Sequence, residues 1–263
     1  MHLPAALKKI QWFNKRKVHA SLSYLPVAAH SEVGILNNEH EYMKMLAIIH
    51  AQKLDSDVTL KLHQFGLYNS VTKMNASVER VVKEAKRLEN FVWIDMELPE
   101  TVDTTLRLFE KLHKKYGNVG ICMQAYLRRT EHDIKYLVKL KVPIRLVKGF
   151  YKNHDYKTWQ EVTANYKRLI KLVLLGSPRP CIATHDFHMI AEAKRLIKKH
   201  RIKRAELQFF NHVRDKLAVR LSKEGFKVRV YVPYGHLLSF LWHGRPTFDF
   251  WHGLERVFHF KVR

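Results

Sequence analysis

Two cations and a glycine close the stretch from Pro143 to Tyr151, PIRLVKGFY, which is otherwise an apolar run of strand length. Arg145, Lys148 and Gly149 would then stand at the carboxyl end of a buried strand, where parallel sheets and barrels keep their chemistry. Lys61 in DVTLKLHQFG and Asp95 in FVWIDMEL are likewise ionisable residues set inside apolar runs. An unpaired buried ammonium is costly, so on neighbouring strands the two would face each other as an ion pair. The alternative is that each points outward to solvent, between barrel and helices. Gln124 with Tyr126, Thr184 with His185 and Asp186, Glu206 with Gln208, and Tyr231 with Tyr234 occupy comparable places in other apolar runs.

Chemistry of the Ser-His-Asp type is not expected, because no serine is placed beside His185. Nor is a metal, since the neighbours of His185 and His188, which flank Asp186, supply no further ligands by spacing. Amide, hydroxyl, aromatic and cationic groups remain. That set suits a large polar cofactor with a planar ring.

The elements that must position these residues alternate along the whole chain. Strand patterns at 19–26, 57–66, 91–98, 118–127, 143–151, 179–186, 205–210 and 227–235 are separated by helical patterns. The helices read as 39–53, 77–89, 100–116, 131–140, 158–175, 188–200 and 212–224, the first capped by Asn37 or Asn38. Eight such strands predict an α/β fold, a (β/α)8 TIM-like barrel forming a single domain over 1–263. Residues 1–17 read as a short amphipathic helical lead-in that caps one end of a barrel spanning 19–263. A doubly wound open sheet is the alternative, and it is weakened because no GxGxxG or GxxxxGK loop follows any strand.

Lys and Arg number 47 against 24 Asp and Glu, a formal charge of +23, with the basic residues reading as scattered through helix-like segments. Such a surface attracts any polyanion: lipid headgroups, nucleic acid or a phosphate-bearing cofactor. No specific nucleic-acid motif or basic arm appears. The two cysteines, Cys122 and Cys181, sit in apolar runs and read as reduced core residues. With no apolar run of membrane-spanning length and no secretory pattern, the expectation is a cytoplasmic protein, with peripheral contact at an anionic membrane left open.

The motifs LKLHQFG, IDMEL, MQAYL, RLVKGFY, CIATHD, ELQFF and RVYVPYG, in this order, resemble the proline dehydrogenase family over roughly residues 19–245. The resemblance implies an FAD-dependent barrel enzyme that transfers hydride from L-proline to flavin N5, giving Δ1-pyrroline-5-carboxylate, with a quinone-type electron acceptor. Carried over position by position, it implies that Gln124, Arg145, Val147, Lys148, Gly149, Ala183, Thr184, His185, Glu206 and Gln208 contact FAD. Lys61, Asp95, Tyr151, Tyr231 and Arg245 would form the substrate side.

The last motif departs from the family. Its paired arginines, which grip the substrate carboxylate, fall on Gly244 and Arg245, and the tyrosine before them falls on Leu241. Pro246 follows. Three readings stay open: another cation such as Arg256 reaches in, a different secondary amine is the substrate, or flavin is bound without proline turnover.

Overall fold

The computed structural model describes residues 1–26, 31–149 and 155–235. Its elements run α1 (Leu3–Asn14), β1 (His19–Leu25), α2 (Glu32–Ala51), β2 (Ser56–Lys61), α3 (Val71–Arg87), β3 (Val92–Asp95), α4 (Val102–Tyr116) and β4 (Val119–Gln124). They continue α5 (Thr130–Lys139), β5 (Ile144–Val147), α6 (Trp159–Gly176), β6 (Pro180–Ala183), α7 (Phe187–Lys199), β7 (Glu206–Phe210), α8 (Asp215–Lys223) and β8 (Lys227–Gly235). Each strand pairs in parallel with the next and β8 closes on β1, so the sheet is a complete barrel. The expected (β/α)8 architecture is what the chain adopts.

Period-two alternation in the strands divides the residues between two environments. Leu22, Val58, Leu60, Val92, Ile94, Ile121, Ile144, Leu146, Val228 and Val230 are fully or almost fully buried in the apolar core. The alternate positions carry Ser21, Asp57, Thr59, Lys61, Trp93, Asp95, Arg145, Glu206, Gln208 and Arg229, which bond to one another across the barrel. A barrel of this kind usually fills its interior with branched aliphatic side chains. Here the lumen is polar, and the apolar core lies between sheet and helices.

Three details differ from the sequence reading. Helix α2 starts at Glu32, well before 39, because Ser31 Oγ accepts the Gly34 amide at 3.2 Å and supplies the cap. Asn38 lies within the helix, buried, and its Nδ2 donates to Gln64 O at 2.8 Å. Secondly, α1 does not cap an end of the barrel. Its apolar face of Leu3, Ala6, Leu7, Ile10 and Phe13 covers the wall at β1 and β8, and Gly235 N donates to Met1 O at 2.8 Å.

Thirdly, the basic residues, although spread over many helices, are concentrated at one end of the barrel. The connections from helix to strand at 14–18, 51–55, 86–91, 114–118, 139–143, 198–205 and 223–227 hold seventeen exposed Lys and Arg against three acidic residues. All lie at the amino-terminal end of the barrel. The described strand-to-helix connections at the opposite end hold five Lys and Arg against four acidic residues. Cations suit helix carboxyl termini through the macrodipole, and seven helices deliver theirs to one face.

Candidate active site

Parallel register brings Lys61, the last residue of β2, beside Asp95, the last of β3. The Lys61 ammonium bonds the Asp95 carboxylate, with side-chain exposures of 7% and 14%. The expected ion pair therefore forms inside the barrel, and the outward-facing alternative is excluded. Arg145 is the second residue of β5, not at its carboxyl end as expected, and reaches up through the lumen: its Nη1 lies 3.4 Å from Asp95 Oδ1 and 3.1 Å from Thr59 Oγ1, and its Nη2 lies 3.4 Å from Ser21 Oγ. Two cations thus share one carboxylate in a buried space. Tyr231 on β8 closes one side, its ring centroid 6.0 Å from Lys61 Nζ. Burial raises the pKa of its phenol, a rise that the Lys61 charge partly offsets.

Glu97 follows Asp95 by two residues and was not singled out from sequence, although the same alternation points it inward. It is buried, and its two oxygens take the His63 backbone amide at 3.0 Å and His63 Nδ1 at 2.5 Å. Burial alone would raise its pKa, but the charge of His63, its hydrogen bonds and Lys61 bring it below the usual carboxylate range. Gln124 Nε2 donates to Met96 O at 2.9 Å and Glu97 O at 2.7 Å. These bonds pin the turn that carries Asp95 to the neighbouring strand ends.

The β5 and β6 ends form the other half of the site. Val147 ends β5. Gly149 has φ +124°, a conformation L side chains rarely adopt, and a Cβ there would lie 2.4 Å from Tyr126 Cγ, so only glycine fits. Lys148 Nζ turns to Asp186 Oδ2 at 2.8 Å and Thr163 Oγ1 at 2.9 Å. Asp186 also caps α7, Oδ1 accepting the His188 amide at 2.9 Å, which is what holds the Asp186–His188 pair together. Ala183 O accepts the Tyr166 hydroxyl at 3.0 Å, and Thr184 Oγ1 accepts the Asp186 amide at 3.1 Å.

His185 Nε2 accepts the Phe210 amide at 3.1 Å, which puts the proton of the neutral ring on Nδ1. That Nδ1 is buried without a partner among the described residues, as is Arg145 Nε. Burial, reinforced by the charge of Arg214, lowers the His185 pKa to about 4, so the ring stays neutral near pH 7.

Glu206 does not belong with these residues. It opens β7, and its carboxylate meets Arg229 Nε at 2.8 Å and Arg179 Nη2 at 3.1 Å. Asp57 joins at 3.0 Å from Arg179 and 3.2 Å from Arg229, while Trp93 Nε1 donates to it at 2.9 Å. The sequence reading placed Glu206 at a strand's carboxyl end; the strand begins there instead, so the residue builds a buried ion cluster under the site. Gln208, one layer up, links to it through Nε2 at 3.0 Å. Tyr151, Leu241, Gly244, Arg245, Pro246 and Arg256 lie outside the described residues.

A closed parallel barrel whose lumen and carboxyl strand ends gather ionised, amide and aromatic groups defines an enzyme of the (β/α)8 class. Comparison with known proteins narrows the class. The family model described as proline dehydrogenase matches residues 6–242. Proline dehydrogenase 2 of Bacillus subtilis (strain 168) is 34% identical over 236 residues, covering 88% of this chain and 78% of that relative. Proline dehydrogenase of Deinococcus radiodurans is 30% identical over 243 residues, covering 89% and 78%.

Among solved structures, proline utilization A (PutA) from Bdellovibrio bacteriovorus inactivated by N-propargylglycine superposes with a TM-score of 0.80 at 22% identity over 89% of this chain. PutA from Corynebacterium freiburgense gives 0.76 at 21% identity over 87%. The chain spans 30% and 28% of those two longer chains, and the likeness to them is one of fold. The chain belongs to the proline dehydrogenase family.

Proposed function

We propose that this barrel is an FAD-dependent proline dehydrogenase that oxidises L-proline to Δ1-pyrroline-5-carboxylate. The observation that carries the reading is the buried Lys61–Asp95–Arg145 cluster, two cations on one carboxylate, the carboxylate and Lys61 standing at strand ends where a barrel works and Arg145 reaching them from within β5. Family membership and the names of the relatives supply the substrate class.

The residues present fit a flavin. Two buried donors, Arg145 Nε–H and His185 Nδ1–H, have no partner among the described residues, and buried polar groups are normally satisfied. An isoalloxazine offers several carbonyl and ring-nitrogen acceptors to such donors. Gly149 keeps the chain beside Tyr126 free of a side chain. Arg145, Val147, Lys148, Gly149, Gln124, Ala183, Thr184, His185 and Gln208 would hold the group. When bound, FAD supplies the acceptor for the hydride that leaves the substrate carbon.

The protein's own part follows from charge. A secondary amine must be neutral before it can release hydride, and the net positive Lys61–Asp95–Arg145 cluster disfavours an ammonium beside it. The same field attracts a carboxylate. Tyr231, with Tyr151, would wall the ring of the substrate, and Arg245 would take its carboxylate. Gly244 stands where the family has a second arginine, which favours a second reading: a flavin barrel acting on another secondary amine, or without proline turnover. One arm of a charge-assisted clamp is worth about 1.5–3 kcal/mol, or roughly tenfold to a hundredfold in binding.

A quinone-type acceptor and peripheral docking on anionic membrane complete the proposal. The face of seventeen exposed cations supports the docking, at about 1 kcal/mol for each one near the surface. No described helix is long and apolar enough to cross a membrane.

The test is the visible spectrum of the purified protein, followed by anaerobic L-proline. A yellow protein that bleaches supports the proposal. One that stays yellow with L-proline but bleaches with another cyclic amine moves the assignment to the second reading. Absence of flavin after incubation with FAD refutes both.

A further inference from the structure

Trp93 is fully buried in the barrel lumen, at a position where aliphatic side chains are usual. It fits only because its cross-strand neighbour is Gly120: a Cβ there would lie 2.5 Å from Trp93 Cζ3. The ring is anchored by Nε1–H to Asp57 at 2.9 Å, and the Arg145 guanidinium lies over it at 4.5 Å from the centroid. Arg179 of the ion cluster lies 5.3 Å from the same ring. The hydrogen bonds of Arg145 to Thr59, Ser21 and Asp95 span 3.1 to 3.4 Å, at or beyond the long end of the normal range, and so constrain it loosely. A desolvated guanidinium stacked on indole is held by more than those bonds.

We propose that Trp93 is a positioning residue: its ring, braced by Asp57 and accommodated by Gly120, fixes the Arg145 guanidinium in the orientation that leaves Nε–H available to the site. The inference rests on the proposed function for its catalytic consequence, and on the ligand-free protein for its structural content. Trp93 belongs to the ion cluster beneath and to the site above. It joins the two.

The experiment compares wild type with Trp93→Phe, Trp93→Leu and the double variant Trp93→Leu/Gly120→Ala, whose added methyl fills part of the space the indole leaves. In ligand-free protein the Arg145 Nε–H resonance, identified by its loss in Arg145→Lys, should be shifted upfield by the ring in wild type. The shift should persist in Trp93→Phe and vanish in both leucine variants. In the FAD-loaded protein, the double variant should recover thermal stability over Trp93→Leu yet keep a loss of kcat/KM on the order of tenfold to thirtyfold. Trp93→Phe, which keeps a ring but loses the bond to Asp57, should fall between wild type and the double variant.

An unshifted Arg145 resonance in wild type overturns the proposal. So does a double variant whose activity returns together with its stability, since packing would then be the whole role of the ring. If neither leucine variant folds, the resonances of wild type and Trp93→Phe decide. If wild type neither binds flavin nor oxidises L-proline, the functional reading fails while the resonance still reports whether Trp93 orients Arg145.

Discussion

Replacing Glu206 by glutamine would leave the shape of the buried ion cluster almost unchanged while removing one of its two negative charges. Arg229 and Arg179 would then share Asp57 alone, at 3.2 Å and 3.0 Å. Breaking a buried ion pair from one side costs about 3–5 kcal/mol, because an uncompensated charge stays in a low-dielectric interior. For a chain of this length each kcal/mol moves Tm by roughly 2–4 °C, so Glu206→Gln should lower Tm by about 6–20 °C. Replacing Glu206 and Arg229 together by Leu and Met should recover much of that loss, since apolar side chains need no counter-charge.

The pH dependence has a fixed sign. Burial would raise the Glu206 pKa, but the charge and hydrogen bond of Arg229, with Arg179 and Gln208, hold it well below the ordinary carboxylate range. Its contribution is therefore present above the unfolded carboxyl pKa, about 4.3, and is lost as pH falls below that. Urea unfolding between pH 3 and 7, on wild type and both variants, reads all three quantities. In thermal unfolding at pH 7, a Glu206→Gln Tm within about 2 °C of wild type, or a double variant less stable than the single, would refute the account of the cluster.

Other expectations are simpler to state. His185, neutral in the fold with a pKa near 4, is protonated in the unfolded chain below about 6.5, so stability falls as pH drops between those values, by up to about 3 kcal/mol. In His185→Gln that part of the pH slope disappears, and urea midpoints that run parallel to wild type would contradict it. Lys61→Met leaves Asp95 paired with Arg145 and the cluster neutral. The kcat/KM for L-proline should fall on the order of a hundredfold, and its pH optimum should rise as the field that keeps the amine neutral weakens; an unchanged optimum in steady-state profiles argues against that role. Gly120→Ala forces a methyl against the Trp93 ring and should cost about 1–3 kcal/mol in denaturant unfolding.

Strand and helix alternation was legible because each apolar run is short and each helix carries its own 3.6-residue pattern. Eight such runs leave little choice beyond a closed barrel. The Lys61–Asp95 pair was legible for a different reason: a buried ammonium and a buried carboxylate on adjacent strands have no lower-cost arrangement than each other. The start of helix α2 is not legible in the sequence because Asn38 looks like a cap, while its buried bond to Gln64 O depends on a chain segment 26 residues away.

The sequence alone determined the architecture, the family motifs and the pairing of the most conspicuous charges, since each follows from local periodicity or from the cost of burying one ion. Only the tertiary structure decided which end of the barrel each charge occupies. Glu206 and Gln208 share one strand and one face. Yet the first meets Arg229 and Arg179 beneath the site, because barrel register and strand limits, set by closure over all eight strands, fix height along the axis. The same closure gathers the basic helix ends onto one face and sets Trp93 against Gly120 and Arg145. None of these neighbours is close in sequence, and their meeting is a property of the closed sheet.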